Sequence, residues 1–192
     1  MTLRTVQKSY SAEFEEKRSR FIANLVPIAD FDDVLVSLKA EHKKASHHVT
    51  AFRKMNANNR IVEGCKDDGE PAGTSGMPVL KTLIGSDLVD VAVVVTRYFG
   101  GIKLGTGGLA RAYSGAAKTV IEQAELVSWM RMKQSEIFSP YTDSAEIERR
   151  ISALRVTVIA RDFVEEGVKL TIEGPEDSVY RLTSVDMPST TN

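Results

Sequence analysis

The rhythm of apolar positions along the chain predicts alternating strands and helices. Between Ser9 and Ile28 the sequence is mixed in charge, but apolar residues gather in Phe21-Ile22-Ala23-Asn24-Leu25-Val26. This reads as a strand or hairpin entering a core, with Pro27 near its end. Asp30 is placed to cap a helix ending near His42, in which Phe31, Val34, Leu35 and Leu38 fall at i, i+3, i+4 and i+7. Short extended segments at His48–Phe52 and Arg60–Glu63 flank the turn-forming run Asn56-Ala57-Asn58-Asn59. Residues 64–76, with four glycines, a proline, two aspartates and a glutamate, read as an irregular loop. The next helix has Ser75 as its cap, Pro78 in its first turn, and Val79, Leu80, Leu83 and Ile84 as its buried face, and Gly85 stops it. Leu88–Phe99 is nearly all apolar, as in a strand buried on both faces. A second glycine-rich turn, Gly100–Gly108, opens a helix striped by Leu109, Ala112, Ala116, Val120 and Ile121, and Leu126–Met130 is one more strand.

After Arg131 the same alternation continues on a smaller scale. Ser135–Pro140 is extended, Asp143–Leu154 helical, Val156–Ala160 and Val168–Glu173 a hairpin pair, and Glu176–Ser184 helical. A β-α-β-β-α order fits a small α+β sandwich. The chain is therefore divided into residues 1–130 and 131–192.

Composition narrows the class without changing this picture. Of 192 residues, 42% are hydrophobic and 27% charged, as in ordinary globular proteins. The longest apolar run, Val91–Val95, is far too short to span a bilayer as a helix, and residues 1–10 have no signal-peptide pattern. The single cysteine, Cys65, excludes an intrachain disulfide. A cytoplasmic protein with no membrane partner is the expectation. The balance of 25 basic and 26 acidic residues argues against a generally polybasic nucleic-acid binder, but not against a local basic patch.

Candidate chemistry lies in the two glycine turns. The first contains Asp67, Asp68, Gly69 and Glu70; the second contains Arg97, Tyr98, Gly100, Gly101, Lys103, Gly105, Gly107, Gly108 and Arg111. Free N–H groups at a helix start attract phosphate or carboxylate, and the cationic side chains would add to this. The second turn is not a P-loop, because Gly-Lys-Ser/Thr is missing, and its glycine spacing is not that of a dinucleotide fold. Spacing alone favours a tight strand-to-helix turn over a ligand site.

Asp67-Asp68-Gly69-Glu70-Pro71, followed by Val95-Thr96-Arg97-Tyr98-Phe99-Gly100-Gly101-Ile102-Lys103-Leu104-Gly105-Thr106-Gly107-Gly108-Leu109, resembles the YigZ/IMPACT family. Lys17-Arg18-Ser19-Arg20-Phe21-Ile22-Ala23 is similar to that family's opening segment. The resemblance implies an N-terminal α/β sandwich like the second domain of a small-subunit ribosomal protein, followed by a ferredoxin-like domain. No clear final strand follows Ser184, which leaves open whether the second domain has its last strand. Eukaryotic relatives regulate translation through an additional domain, so their role is not carried over. For bacterial relatives, fold analogy implies binding to RNA or the ribosome.

Charge divides unevenly. Residues 131–192 hold eight basic and eleven acidic residues, and residues 1–130 hold 17 basic and 15 acidic. If phosphate is bound, the first part is the better candidate, since Lys43, Lys44, Arg53, Lys54, Arg60 and Lys66 could cluster there, although composition favours a solvated surface of scattered charge for these residues. The acidic loop more simply caps the following helix or pairs with Arg97 than binds a cation. His47 and His48 point to opposite faces of a strand and cannot chelate together. No metal site or cofactor is expected. A non-enzymatic RNA- or ribosome-binding protein linked to translation is the leading reading. A phosphate-handling enzyme and a protein-partner module, the latter using the acidic second part, stand as alternatives.

Overall fold

The computed structural model describes residues 2–184 and is mixed α/β, dividing into two compact units at Trp129/Met130. In the first, five antiparallel strands form one sheet: β2 (Tyr10–Glu16), β3 (Ser19–Pro27), β4 (His47–Met55), β5 (Ile61–Lys66) and β6 (Val91–Tyr98), in the order β2-β3-β6-β4-β5. A two-residue strand β1 (Arg4–Thr5) pairs with β7 (Val127–Ser128) in a separate ribbon. The helices are α1 (Phe31–Glu41), α2 (Gly76–Gly85) and α3 (Gly105–Gln123).

The centre of the sheet is β6, with every residue from Val91 to Arg97 buried. Its alternate positions serve two faces. Val93 and Val95 join Phe21, Leu25, Val49 and Ala51 beneath α2 and α3, where Val79, Leu83, Ala112, Tyr113 and Val120 complete the core. Each fully buried Val or Leu contributes about 1.5–3 kcal/mol. Ala92, Val94 and Thr96 belong to the other face, which also carries His48, Thr50 and Phe52 and is covered by α1. There Phe31 lies against Phe52, with ring centroids 6.2 Å apart. The apolar stripe expected on α1 is only partly submerged, with Leu38 alone fully buried.

Several local details differ from the sequence reading. A 3-10 turn at Ile28–Asp30 precedes α1, and the Asp30 side chain caps nothing. Ser75 is not a side-chain cap for α2 either, and Ile84 is 40% exposed rather than part of the core face. Strand β5 runs on through Gly64 and Cys65 to Lys66, in what sequence read as loop. The Phe52 ring occupies the space that a Gly64 Cβ would need, so glycine there admits a neighbour instead of breaking the strand.

The second unit has β8 (Met132–Pro140), α4 (Ser144–Ala153), β9 (Thr157–Val164), β10 (Gly167–Pro175) and α5 (Glu176–Thr183). Its antiparallel sheet has the order β8-β10-β9. Ile137, Leu170 and Ile172 pack with Ile147, Ile151, Val179 and Leu182 from the helices. The final strand in question after Ser184 lies outside the described residues.

Candidate functional site

The two glycine turns meet around one buried charge. Arg97, near the end of β6, is 5% exposed, and its Nη1 donates to Glu70 Oε1 at 2.5 Å. The same oxygen accepts the Tyr113 hydroxyl of α3 at 2.7 Å. On one side the Arg97 guanidinium faces Phe21 (5.5 Å to the ring centroid), and on another Phe99 (5.6 Å). Its Nη2 reaches Ser19 Oγ at 3.4 Å, while its Nε has no partner among the described residues. Burial, followed by the hydrogen bond to Glu70 and that carboxylate's charge, pushes the Tyr113 phenol far above its ordinary range, so it remains a donor. A buried pair this well bonded loses about 3–5 kcal/mol when one partner is removed.

Asp67 and Asp68 serve other purposes. Asp67 accepts the N–H groups of Gly73 (2.7 Å), Ser75 (3.0 Å) and Gly76 (2.7 Å), which makes it the anion at the start of α2. Burial pushes its carboxyl up, but those three donors outweigh burial and hold it below the ordinary carboxylate value. Asp68, with φ +50°, accepts the His48 N–H at 2.6 Å, and its carbonyl bonds His47 Nδ1. Gly69, φ +90°, follows it.

At the second turn, Gly101 (φ +84°) and Gly105 (φ +72°) take backbone angles that L side chains rarely adopt. They bring the chain from β6 into α3 with Leu104 buried and Lys103 exposed. Among the described residues no side chain caps α3, which leaves the N–H groups of its first turn for solvent or a ligand. Arg111 is exposed one turn in, and its Nη1 lies over Gly107, which Gly108 follows. Glu70, Pro71, Arg97, Phe99, Lys103, Leu104, Gly105, Thr106 and Leu109 line a cavity of about 270 Å³ at this helix start.

Of the residues singled out from sequence, Glu70, Arg97, Lys103 and Gly105 thus share one cavity. Tyr98 belongs to the α1 face: its hydroxyl bonds His42 Nδ1 at 2.9 Å, and Arg20 lies over its ring. Its neighbour Phe99, by contrast, is 51% exposed. Of the basic residues proposed to cluster, Arg53 is buried, bonded to Glu63 and to the Leu88 carbonyl. Sequence reasoning also missed a polar group beneath α1. His48 Nδ1 lies 3.1 Å from Thr96 Oγ1, and burial lowers the His48 pKa, the main cause among several. The signal available was a threonine interrupting the apolar run of β6. Among the described residues, no group of three or more His, Cys, Asp or Glu could hold a metal, and no helix is long and apolar enough to cross a membrane.

The fold and site define a two-unit mixed α/β protein with an internal Glu–Arg–Tyr cluster beneath a glycine-rich helix start. Residues 17–121 match the model of the Impact N-terminal domain. The chain is 42% identical over 175 residues to an IMPACT family member of Haemophilus influenzae, covering 90% of this chain and 84% of that one. It is 34% identical over 150 residues to the IMPACT family member YvyE of Bacillus subtilis, covering 77% and 68%. A crystal structure described only as that of an hypothetical protein superposes with a TM-score of 0.69 at 30% identity, covering 96% of this chain and 91% of that one. The chain belongs to the IMPACT family.

Proposed function

We propose that this protein is a non-enzymatic RNA- or ribosome-binding protein linked to translation or its regulation, and that it holds phosphate groups at the start of α3. The observation carrying this reading is the uncapped α3 N-terminus, opened by Gly105, Gly107 and Gly108, with Lys103 before it and Arg111 over its first turn. The two basic side chains are exposed and have no acidic partner among the described residues. The unit that carries them has the positive balance of charge. In this reading Arg97 and Glu70 support the surface from behind, Asp67 and Asp68 set the first turn, and the positive-φ glycines 69, 101 and 105, with Gly100, shape the two turns. The family resemblance supplies the link to translation.

A non-enzymatic role is supported by the state of the acid–base candidates. Glu70 is tied up by Arg97 and Tyr113, and Asp67 by three N–H donors. Residues 1–130 and 131–192 are read as separate domains, the first of ribosomal-protein second-domain type. The strand order β8-β10-β9 supports a ferredoxin-like reading of the second. A protein-partner role would fall to that acidic second part.

The test is binding of labelled single-stranded RNA across a salt series. Lys103→Ala and Arg111→Ala should each weaken binding and lower the slope of log K against log salt by about 0.7, while both variants melt like the parent. Unchanged affinity and slope in both would refute the site. Turnover of a phosphorylated small molecule would move the reading to an enzyme.

A further inference from the structure

The β2–β3 hairpin turns through Lys17 and Arg18, with Glu16 opposite Ser19, so only two residues form the loop. Both sit at positive φ, +45° and +65°. Two-residue hairpins of this shape favour Asn-Gly, because at positive φ the Cβ crowds the backbone carbonyl, which glycine avoids and asparagine offsets by local hydrogen bonding. Two long cations occupy the positions instead, both exposed and neither ion-paired among the described residues.

The tip is fastened to the second glycine turn. A Cβ on Gly100 would fall 2.0 Å from the carbonyl carbon and oxygen of Arg18, so the two backbones touch and only glycine fits. The Gly100 N–H donates to Ser19 Oγ at 3.2 Å, and Arg97 reaches the same oxygen. Next in the chain on either side of Gly100 and Gly101 come Phe99 and Ile102, 51% and 42% exposed. Phe99 has the Arg97 guanidinium against its ring and is otherwise half in solvent. A strained basic tip, a rigid backbone contact and an exposed aromatic ring therefore adjoin the turn that leads to Lys103.

We propose that the Lys17-Arg18 tip and Phe99 extend the α3 site into a track for single-stranded RNA, in which the tip holds backbone phosphates and Phe99 stacks an unpaired base. This rests on the RNA-binding reading above. Cations alone would fit any polyanion. An exposed aromatic ring among them is what single-stranded nucleic acid uses and a membrane surface or acidic protein does not require.

The experiment uses the full chain and a labelled oligouridylate of about 15 nucleotides, within the range of site sizes typical of single-strand-binding folds. The double variant Lys17→Asn/Arg18→Gly supplies the favoured turn. It should raise the melting temperature by about 2–4 °C while lowering the salt slope by about 1.4, two phosphates at 0.7 each. Lys17→Gln/Arg18→Gln should lose the same slope without the gain in melting temperature. Phe99→Leu should bind about 5- to 150-fold more weakly with its salt slope unchanged. Parental affinity and slope in both tip variants overturn the role of the tip, and parental affinity in Phe99→Leu overturns stacking. If the parent protein binds no oligouridylate, or loses nothing with Lys103→Ala and Arg111→Ala, the underlying RNA reading fails instead. Tip variants that lose affinity for anionic vesicles but not for RNA would assign the surface to membranes and overturn the proposal.

Discussion

Tyr113 and Arg97, from α3 and β6, donate to one oxygen of Glu70, at 2.7 and 2.5 Å. A carboxylate in this position joins helix, strand and glycine turn inside the core. Removing either donor has different consequences, because only one carries charge.

Tyr113→Phe removes a neutral donor and leaves the ion pair, so it should cost about 1–3 kcal/mol. Arg97→Met strands a buried carboxylate and should cost about 3–5 kcal/mol. The double replacement Glu70→Leu/Arg97→Met should cost less than the sum of its two single changes, since no charge is left behind. Urea denaturation of the four variants measures the coupling, and additive costs would refute a coupled pair.

Asp67 makes an acid-sensitive start to α2. Its folded pKa lies below its unfolded one. The stability it contributes is therefore complete above the ordinary carboxylate range and is lost as pH falls through the depressed folded value. Asp67→Asn should lower the melting temperature near neutrality and flatten its decline between about pH 5 and pH 2. A variant with the parental acid limb would show that the three N–H contacts carry no linkage.

His48 acts in a higher window, with its folded pKa lowered from 6.5 chiefly by burial. Below 6.5 the unfolded chain takes up a proton that the folded ring resists, so stability falls until pH reaches the folded value. His48→Gln, able to keep a bond to Thr96, should remove part of the decline in melting temperature between about pH 7 and pH 5. An unchanged decline would exclude His48 as its source.

Long periodic elements were readable because their signal is local. Helix α3, with its Leu109, Ala112, Ala116, Val120 and Ile121 stripe, and the saturated strand β6 follow from spacing alone. What escaped depends on distant partners. Strand β1 is two residues long and exists through pairing with Val127 and Ser128. The start of α2 is satisfied by Asp67, nine residues before Gly76, rather than by the adjacent Ser75. At the candidate site, sequence could pair the acidic loop with Arg97 but could not tell which acid would do it. Glu70 enters the core and Asp67 turns to the helix because of how the loop closes. Tyr98 and Phe99 differ by one position. Since β6 ends at Tyr98, strand alternation fixes the first ring beside His42 and releases the second.

Trp129, the sole tryptophan, donates its indole N–H to Asp90 at 2.6 Å, and the other oxygen of that carboxylate accepts the Met55 N–H at 2.7 Å. The last residue of the first unit is thereby tied to the end of its central sheet. The protein carries its own optical gauge. Fluorescence excited at the indole follows the melting of the first unit, whereas far-ultraviolet dichroism averages both. A difference between the two melting curves would measure how independently the halves of the chain unfold.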